Sequence, residues 1–324
     1  MAQDCLVTNT PGTIKASAPG NLMLMGEHAV LKGHRALACA VDKRIFVTLT
    51  PRADRKVTVD SALANYQSTL DELADCAELG FMVAVMRNFA PQLPAGFDLT
   101  VTSEFSHTVG LGSSAAVTAA TVAALMAYAG ESTPLSKSAV FDQALAVVHK
   151  VQGGRGSGTD LAATIYGGVV GYTQTPRQVT SYPKVPAVRL HYVGYKMKTP
   201  DVIAKVEAAS APYPQFYSGL YELMHQASMA AEQAVEQADW AVLGHWMNVY
   251  QGLLDTLGVN DGNLSEMIYN LRQQASTLGS KISGSGLGDC VLSVIDDQNT
   301  VEPLAHYEEI SVAISPQGVM CEFI

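Results

Sequence analysis

Hydrophobic and polar positions change period several times along the chain, and each change predicts an element. Short extended runs at 14–17 and 22–25, and a β-branched run at 45–50 (IFVTLT), predict strands. Residues 51–61 (PRADRKVTVDS) read as a turn followed by an edge strand. Apolar residues at helical spacing over 70–89 predict a helix, ended by Pro91, Pro94 and Gly96. A strand at 97–102 (FDLTVT) comes next. A long apolar stretch of helical composition then runs over 115–129 and stops at Gly130. A second helix is predicted over 135–151, with Ser136 and Ser138 as candidate caps. Strands at 169–173 and 187–194 flank a proline-bearing linker or crossing loop at 176–186. From about 199 to 277 the pattern predicts three or four helices with short breaks. Strands at 281–283 and 290–295 enclose a glycine loop, and a last pair at 309–314 and 319–324 closes the chain. No internal repeat or low-complexity segment interrupts this order. Strands, then helices, then strands imply an α+β protein of two intimately packed lobes divided near 175–195, with domains at 1–180 and 181–324.

Composition narrows the class. The 324 residues are 48% hydrophobic and 15% charged, which suits a well-packed globular protein. A formal net charge of −10 argues against sequence-independent nucleic-acid binding, which depends on neutralising phosphates. An anionic small substrate would have to be held by a local cluster of cations and backbone amides acting against the global field. Five scattered cysteines without metal-binding spacing suggest free thiols in a reducing compartment. The opening MAQDCLVTNTPGT shows no basic or apolar leader pattern, and no apolar run has the length of a membrane span. The expectation is a cytoplasmic protein with no membrane partner.

The chemistry concentrates at Val109-Gly110-Leu111-Gly112-Ser113-Ser114-Ala115-Ala116, between the strand at 97–102 and the helix at 115–129. Two glycines permit a tight turn, and two serines supply an N-cap and spare hydroxyls. Such a turn aims several backbone N–H groups and the positive end of a helix dipole in one direction, which makes an anion site and most often a phosphate site. The same small residues would also serve merely to start a helix.

Three glycine-bearing stretches occur in order: APGNLMLMGEHAVLKG at 18–33, GLGSSAA at 110–116 and KISGSGLGDC at 281–290. Together they resemble the three motifs of the GHMP small-molecule kinases, and the likeness extends over nearly the whole chain. The first block looks most like mevalonate kinases. The run QGGRGSGTDLAATIYGG and the Gly288-Asp289-Cys290 ending look more like phosphomevalonate kinases. The resemblance implies an N-terminal domain of the ribosomal-protein-S5 type and a C-terminal ferredoxin-like domain. It implies ATP and Mg²⁺ as cofactors, a small-molecule alcohol as acceptor (the 5-hydroxyl of mevalonate first, phosphomevalonate or another small alcohol otherwise) and a homodimer. A relative that binds nucleotide without catalysis is a further alternative.

By that resemblance Gly110, Leu111, Gly112, Ser113, Ser114 and Ala115 cradle the ATP phosphates, Gly284 and Gly286 close over them, and Ser114 reaches the metal. Asp160, in GSGTD, contacts the acceptor hydroxyl as base or orienting group, although a Thr-Asp pair before an apolar run also fits a helix start. Glu27 and His28 line the acceptor pocket. Two positions depart from the family. Asn21 stands where mevalonate kinases carry the lysine of APGK, so that role is vacated or moved, with Lys15 or Lys43 as candidates. Counting back 11 residues from Asp160, where a magnesium-binding glutamate is expected, gives His149. Arg155 and Lys281 are further cations near motif positions, and His107, Lys150 and Arg155 are candidates to meet a phosphate on the acceptor.

Overall fold

The computed structural model describes residues 12–107, 109–154, 156–297 and 307–324. In the first lobe, β1 (Ile14–Met25), β2 (Ala36–Pro51), β3 (Lys56–Ser61) and β4 (Asn65–Thr69) precede α1 (Gly80–Phe89) and β5 (Phe97–Ser103). Then come α2 (Ser113–Tyr128), α3 (Lys137–Gln152), α4 (Thr159–Tyr166), β6 (Val169–Thr173) and β7 (Gln178–Tyr182). The second lobe holds β8 (Ala187–Lys196), α5 (Thr199–Ser210), α6 (Pro214–Gln237), α7 (Trp240–Leu257), α8 (Gly262–Arg272), β9 (Thr277–Ser283), β10 (Gly288–Ile295) and β11 (Glu308–Ile310). The final strand, β12 (Met320–Phe323), returns to pair antiparallel with Ile14–Ser17 of β1.

The first sheet runs β12-β1-β2-β5-β3-β4, with β6 and β7 extending from the other end of β2. The second is antiparallel, in the order β11-β8-β10-β9. Counted within the lobe this is the 4-1-3-2 order of a ferredoxin-like sheet. The α+β, two-lobed architecture expected from the motifs is therefore present. Nearly every residue of α2 is buried, because the helix runs through the first core between the sheet and α1, α3 and α4. An all-round apolar helix has no solvent face to protect, which explains the absence of periodicity in its sequence. Its one polar end, the N-terminus, is delivered to the junction of the lobes.

β1 serves both cores. Ile14, Ala16 and Ala18 enter the first, while Leu22, Leu24 and Met25 enter the second. Between them the ladder with β2 shifts register from Pro19 to Asn21. Such a bulge re-aims the strand, and Asn21 N–H donates instead to the Leu111 carbonyl at 2.9 Å.

Several local expectations differ from the structure. The two short runs at 14–17 and 22–25 are one strand. The helix predicted from residue 70 starts at Gly80, and 65–69 is strand β4. Leu70, Leu73 and Leu79 are buried without a helix because tertiary bonds hold the segment: Leu70 N–H to the Arg55 carbonyl, and Arg87 and Tyr66 to the Leu73 and Ala74 carbonyls. β3 is not an edge, since β5 and β4 flank it. The proline-bearing linker contains β7. The last two strands do not pair with each other, for β11 joins β8 and β12 joins β1. Among the described residues no helix is long and apolar enough to cross a membrane.

Candidate active site

The three glycine blocks meet at the lobe junction around a cavity of about 530 Å³. Its wall includes Asn21, Glu27 and His28 from the first block, Gly110, Gly112, Ser113 and Ser114 from the second, and Ser283, Gly284, Ser285 and Asp289 from the third. Asp160 and Lys196 add charge to its polar surface, and His107, Gln152, Ser157 and Thr199 also border it. A second, mostly apolar cavity of about 650 Å³ lies on the other side of the glycine-serine loop, with Ile45, Leu79, Met82, Phe105 and Val117 in its wall. Both cavities include His107, Ser113 and Ser114, so the loop stands between a polar and an apolar chamber.

The N-cap of α2 is Gly112, in the left-handed region (φ 64°), not a serine as expected. A Cβ on Gly112 would lie 2.1 Å from Asn21 Nδ2, and one on Gly110 would lie 2.3 Å from Asp289 Oδ1. Both glycines are therefore required by close approach, and at Gly112 by conformation as well. With no side-chain cap, the first amides of a 16-residue helix face the junction as an anion site. Leu111 and Ala115 turn away from the cavity into the core. Gly284 borders the cavity, whereas Gly286 is packed against the Val259 carbonyl.

Asn21 lies under the loop, its Nδ2 donating to Thr164 Oγ1 at 3.0 Å. Thr164 in turn donates to the Pro19 carbonyl. The amide is thus part of the loop's support. Lys15 does not reach the site. It pairs opposite Thr48 and Glu322 with its ammonium over the Phe46 ring, six strand residues and so about 20 Å from Asn21. Lys43 and Lys150 are not on the cavity wall either, and Arg155 lies outside the described residues. His149 accepts no role at the cavity: its Nε2 is 2.9 Å from the Gly156 carbonyl, where it fastens the loop leading into α4.

Asp160 occupies the first turn of α4. Its side chain opens to the cavity rather than being sealed in a core. The surrounding protein still displaces enough water to push its carboxyl above the ordinary aspartate range, and Lys196 partly opposes that push.

Cross-lobe bonds clasp the first block to the third. His28 Nε2 donates to the Ser285 carbonyl at 2.8 Å. A carbonyl can only accept, so Nε2 carries the hydrogen and Nδ1 is left as the acceptor. Burial holds His28 below its usual value and hence neutral at pH 7. Ser283 Oγ bridges Met23 N–H and carbonyl, both at 3.1 Å. Lys281 is fully buried behind the cavity, where its ammonium donates to Glu27 Oε1. Burial pushes the Glu27 carboxyl up and the Lys281 ammonium down, each partly offset by the other's charge. Lys281 therefore meets Glu27, not a ligand.

Sequence reasoning missed Lys196 and the apolar chamber. Lys196 ends a strand without any motif. The chamber's walls come from β2, β3, α1, β5 and α2 with their flanking loops, which share no local pattern.

Family models for the N-terminal and C-terminal domains of GHMP kinases match residues 80–168 and 231–307, and a galactokinase galactose-binding signature matches 7–51. A mevalonate kinase of Methanothermobacter thermautotrophicus is 31% identical, covering 86% of this chain and 89% of the relative. The chain belongs to the GHMP kinases. Another mevalonate kinase, from Aeropyrum pernix, is 29% identical over 95% of this chain and 98% of its own length. In fold, a Listeria innocua protein superposes with a TM-score of 0.82 at 20% identity, covering 96% of this chain and 99% of its own. Streptococcus pneumoniae phosphomevalonate kinase, in complex with phosphomevalonate and AMPPNP, superposes with a TM-score of 0.73 at 17% identity, covering 88% and 93%. Members of this family use ATP, and this GHMP kinase is a phosphotransferase.

Proposed function

We propose that this GHMP kinase transfers the γ-phosphoryl group of ATP to the 5-hydroxyl of mevalonate. One observation carries the reading: the uncapped start of α2 stands between an apolar chamber and a polar one, facing Asp160 across the latter. The apolar chamber suits a purine base. The amides of Gly110–Ser114 suit the phosphates. The polar chamber suits a small hydroxylated acid, with Glu27 and His28 on its wall.

In the reaction the acceptor oxygen forms a bond to the γ-phosphorus while the bridging bond to the β-phosphate breaks. The acceptor proton passes to Asp160 and ADP leaves. A carboxyl raised by its surroundings is a better base for that proton than an ordinary aspartate. Ser114 offers a hard oxygen donor that suits Mg²⁺ in this wall, and His149 does not. Mg²⁺ held there together with the nucleotide would offset the charge that builds on the phosphates during transfer.

An acceptor already carrying a phosphate needs additional cations. Among the described wall residues Lys196 is the only lysine or arginine, with His107 and His28 the other basic groups, which favours mevalonate over phosphomevalonate. A coupled ADP-release assay with ATP and Mg²⁺ tests the reading, with mevalonate, phosphomevalonate, galactose and homoserine as separate acceptors. Turnover of mevalonate alone is expected. Preference for another acceptor replaces the substrate assignment, and ATP binding without turnover of any of them overturns the reaction.

A further inference from the structure

The polar chamber carries three carboxylates, Glu27, Asp160 and Asp289, in a chain of net charge −10. Glu27 is matched from behind by Lys281. Asp289 is not an incidental neighbour of the phosphate loop. Its carboxylate is buried directly against Gly110, Oδ1 has no hydrogen-bond partner among the described residues, and its backbone holds a left-handed φ of 72° that a non-glycine residue adopts only at a cost. The β8–β10 ladder changes register between Gly288 and Cys290, which throws residue 289 out of the regular pairing and toward the loop. A carboxylate in that place repels a polyphosphate unless a cation lies between them, and the repulsion is stronger in a cleft than in bulk water.

Lys196, the last residue of β8, is that cation. Its Nζ lies 2.6 Å from Asp289 Oδ2, and its side chain is 35% exposed against 5% for Asp289. The carboxylate is fixed and the ammonium, on a flexible four-carbon stem, is free to turn. We propose that Lys196 is the catalytic cation of this chamber: it rests on Asp289 while the loop is free and turns onto the oxygens of the transferred phosphoryl group when nucleotide fills the loop. Asp289 is its positioning residue. The charge that the uncharged Asn21 does not supply thus comes from the opposite lobe. This inference rests on the kinase reading above.

The test compares wild type, Lys196→Met, Lys196→Arg and the double variant Lys196→Met/Asp289→Asn, each checked for folding by circular dichroism. Binding of inorganic tripolyphosphate is measured by calorimetry, and turnover as a pH profile. Loss of one charge-assisted hydrogen bond is expected to weaken tripolyphosphate binding by about 10- to 100-fold in Lys196→Met and in the double variant alike. Lys196→Arg keeps the charge and is expected to bind within a few-fold of wild type. Turnover by Lys196→Met falls by about 100-fold or more. The acid limb of its kcat/KM moves to higher pH, because Asp160 loses the charge that holds its carboxyl down. If Lys196 serves only to neutralise Asp289, the double variant recovers wild-type binding and turnover, and the proposal is overturned. Unchanged binding in Lys196→Met overturns it as well. Wild type that binds tripolyphosphate but phosphorylates no alcohol rejects the kinase reading alone, and the binding comparison still judges Lys196.

Discussion

Asp160 and Gly112 do different work in the same chamber, and single substitutions separate them. Asp160→Asn preserves shape but removes the proton acceptor of the proposed reaction. We expect turnover to fall by about 10²- to 10⁴-fold with nucleotide affinity and melting midpoint little changed. A variant of full activity would exclude Asp160 as the base. Gly112→Ala should act on the loop instead. The new Cβ would lie 2.1 Å from Asn21 Nδ2 at a backbone φ of 64°, so either Asn21 leaves Thr164 or the loop moves. The expected result is a large loss of ATP affinity with destabilisation of about 1–3 kcal/mol, read by calorimetry and denaturant unfolding. Retained affinity would mean the loop tolerates the displacement. Asp160, which the structure places on the chamber wall, could be singled out in the sequence because it stands in a short run of small residues with a chemical precedent. Lys196 was not, because a lysine ending a strand is indistinguishable from a surface charge until Asp289 is brought 2.6 Å away from it.

Between elements, the clasp of the first block on β9 is the feature most sensitive to charge. Lys281 lies on β9 and Glu27 follows β1, and both are sealed from water. Lys281→Met leaves a buried carboxylate without its partner, which costs about 3–5 kcal/mol. The pH dependence has a definite sign. Burial already raises the Glu27 carboxyl above its ordinary value of 4.5, and loss of Lys281 raises it further. The folded variant therefore holds a proton that the unfolded chain releases, and its stability falls as pH rises through the folded value. Denaturation midpoints should differ more between wild type and variant at pH 8 than at pH 5. A difference independent of pH would show that the lost packing of the lysine stem, not Glu27's charge, accounts for the cost.

On the scale of the whole molecule, the chain's end belongs to the lobe where the chain begins. β12 covers the outer side of β1, and the carbonyls of Gln317 and Gly318 accept from the buried Arg44. A chain ended after Ile310 keeps all four strands of the second sheet yet strips the first of an edge strand and of these bonds. It should melt at least about 5 °C lower and self-associate through the uncovered edge, as scanning calorimetry and light scattering would show. An unchanged midpoint in a monodisperse sample would contradict the role assigned to β12. The period of the sequence could not reveal this pairing, since four short, partly exposed residues read alike whether they close one sheet or another.

Elements whose pattern is local could be read along the chain: the strand at 97–102, which the structure extends by one residue, the buried helix after GLGSS, the helical block that follows Thr199, and the three glycine turns that mark a GHMP kinase. Small residues at turns and apolar runs declare themselves over a few positions because their constraints are steric and short-ranged. Which charges face the chamber is set by the packing of the fold. Lys15 and Lys281, close to motifs in sequence, are turned elsewhere by strand register and by burial against Glu27. Lys196, remote from every motif, is brought to Asp289 by the pairing of β8 with β10. Charge acts through space, so its partner is set by the fold rather than by the neighbouring residue in the chain.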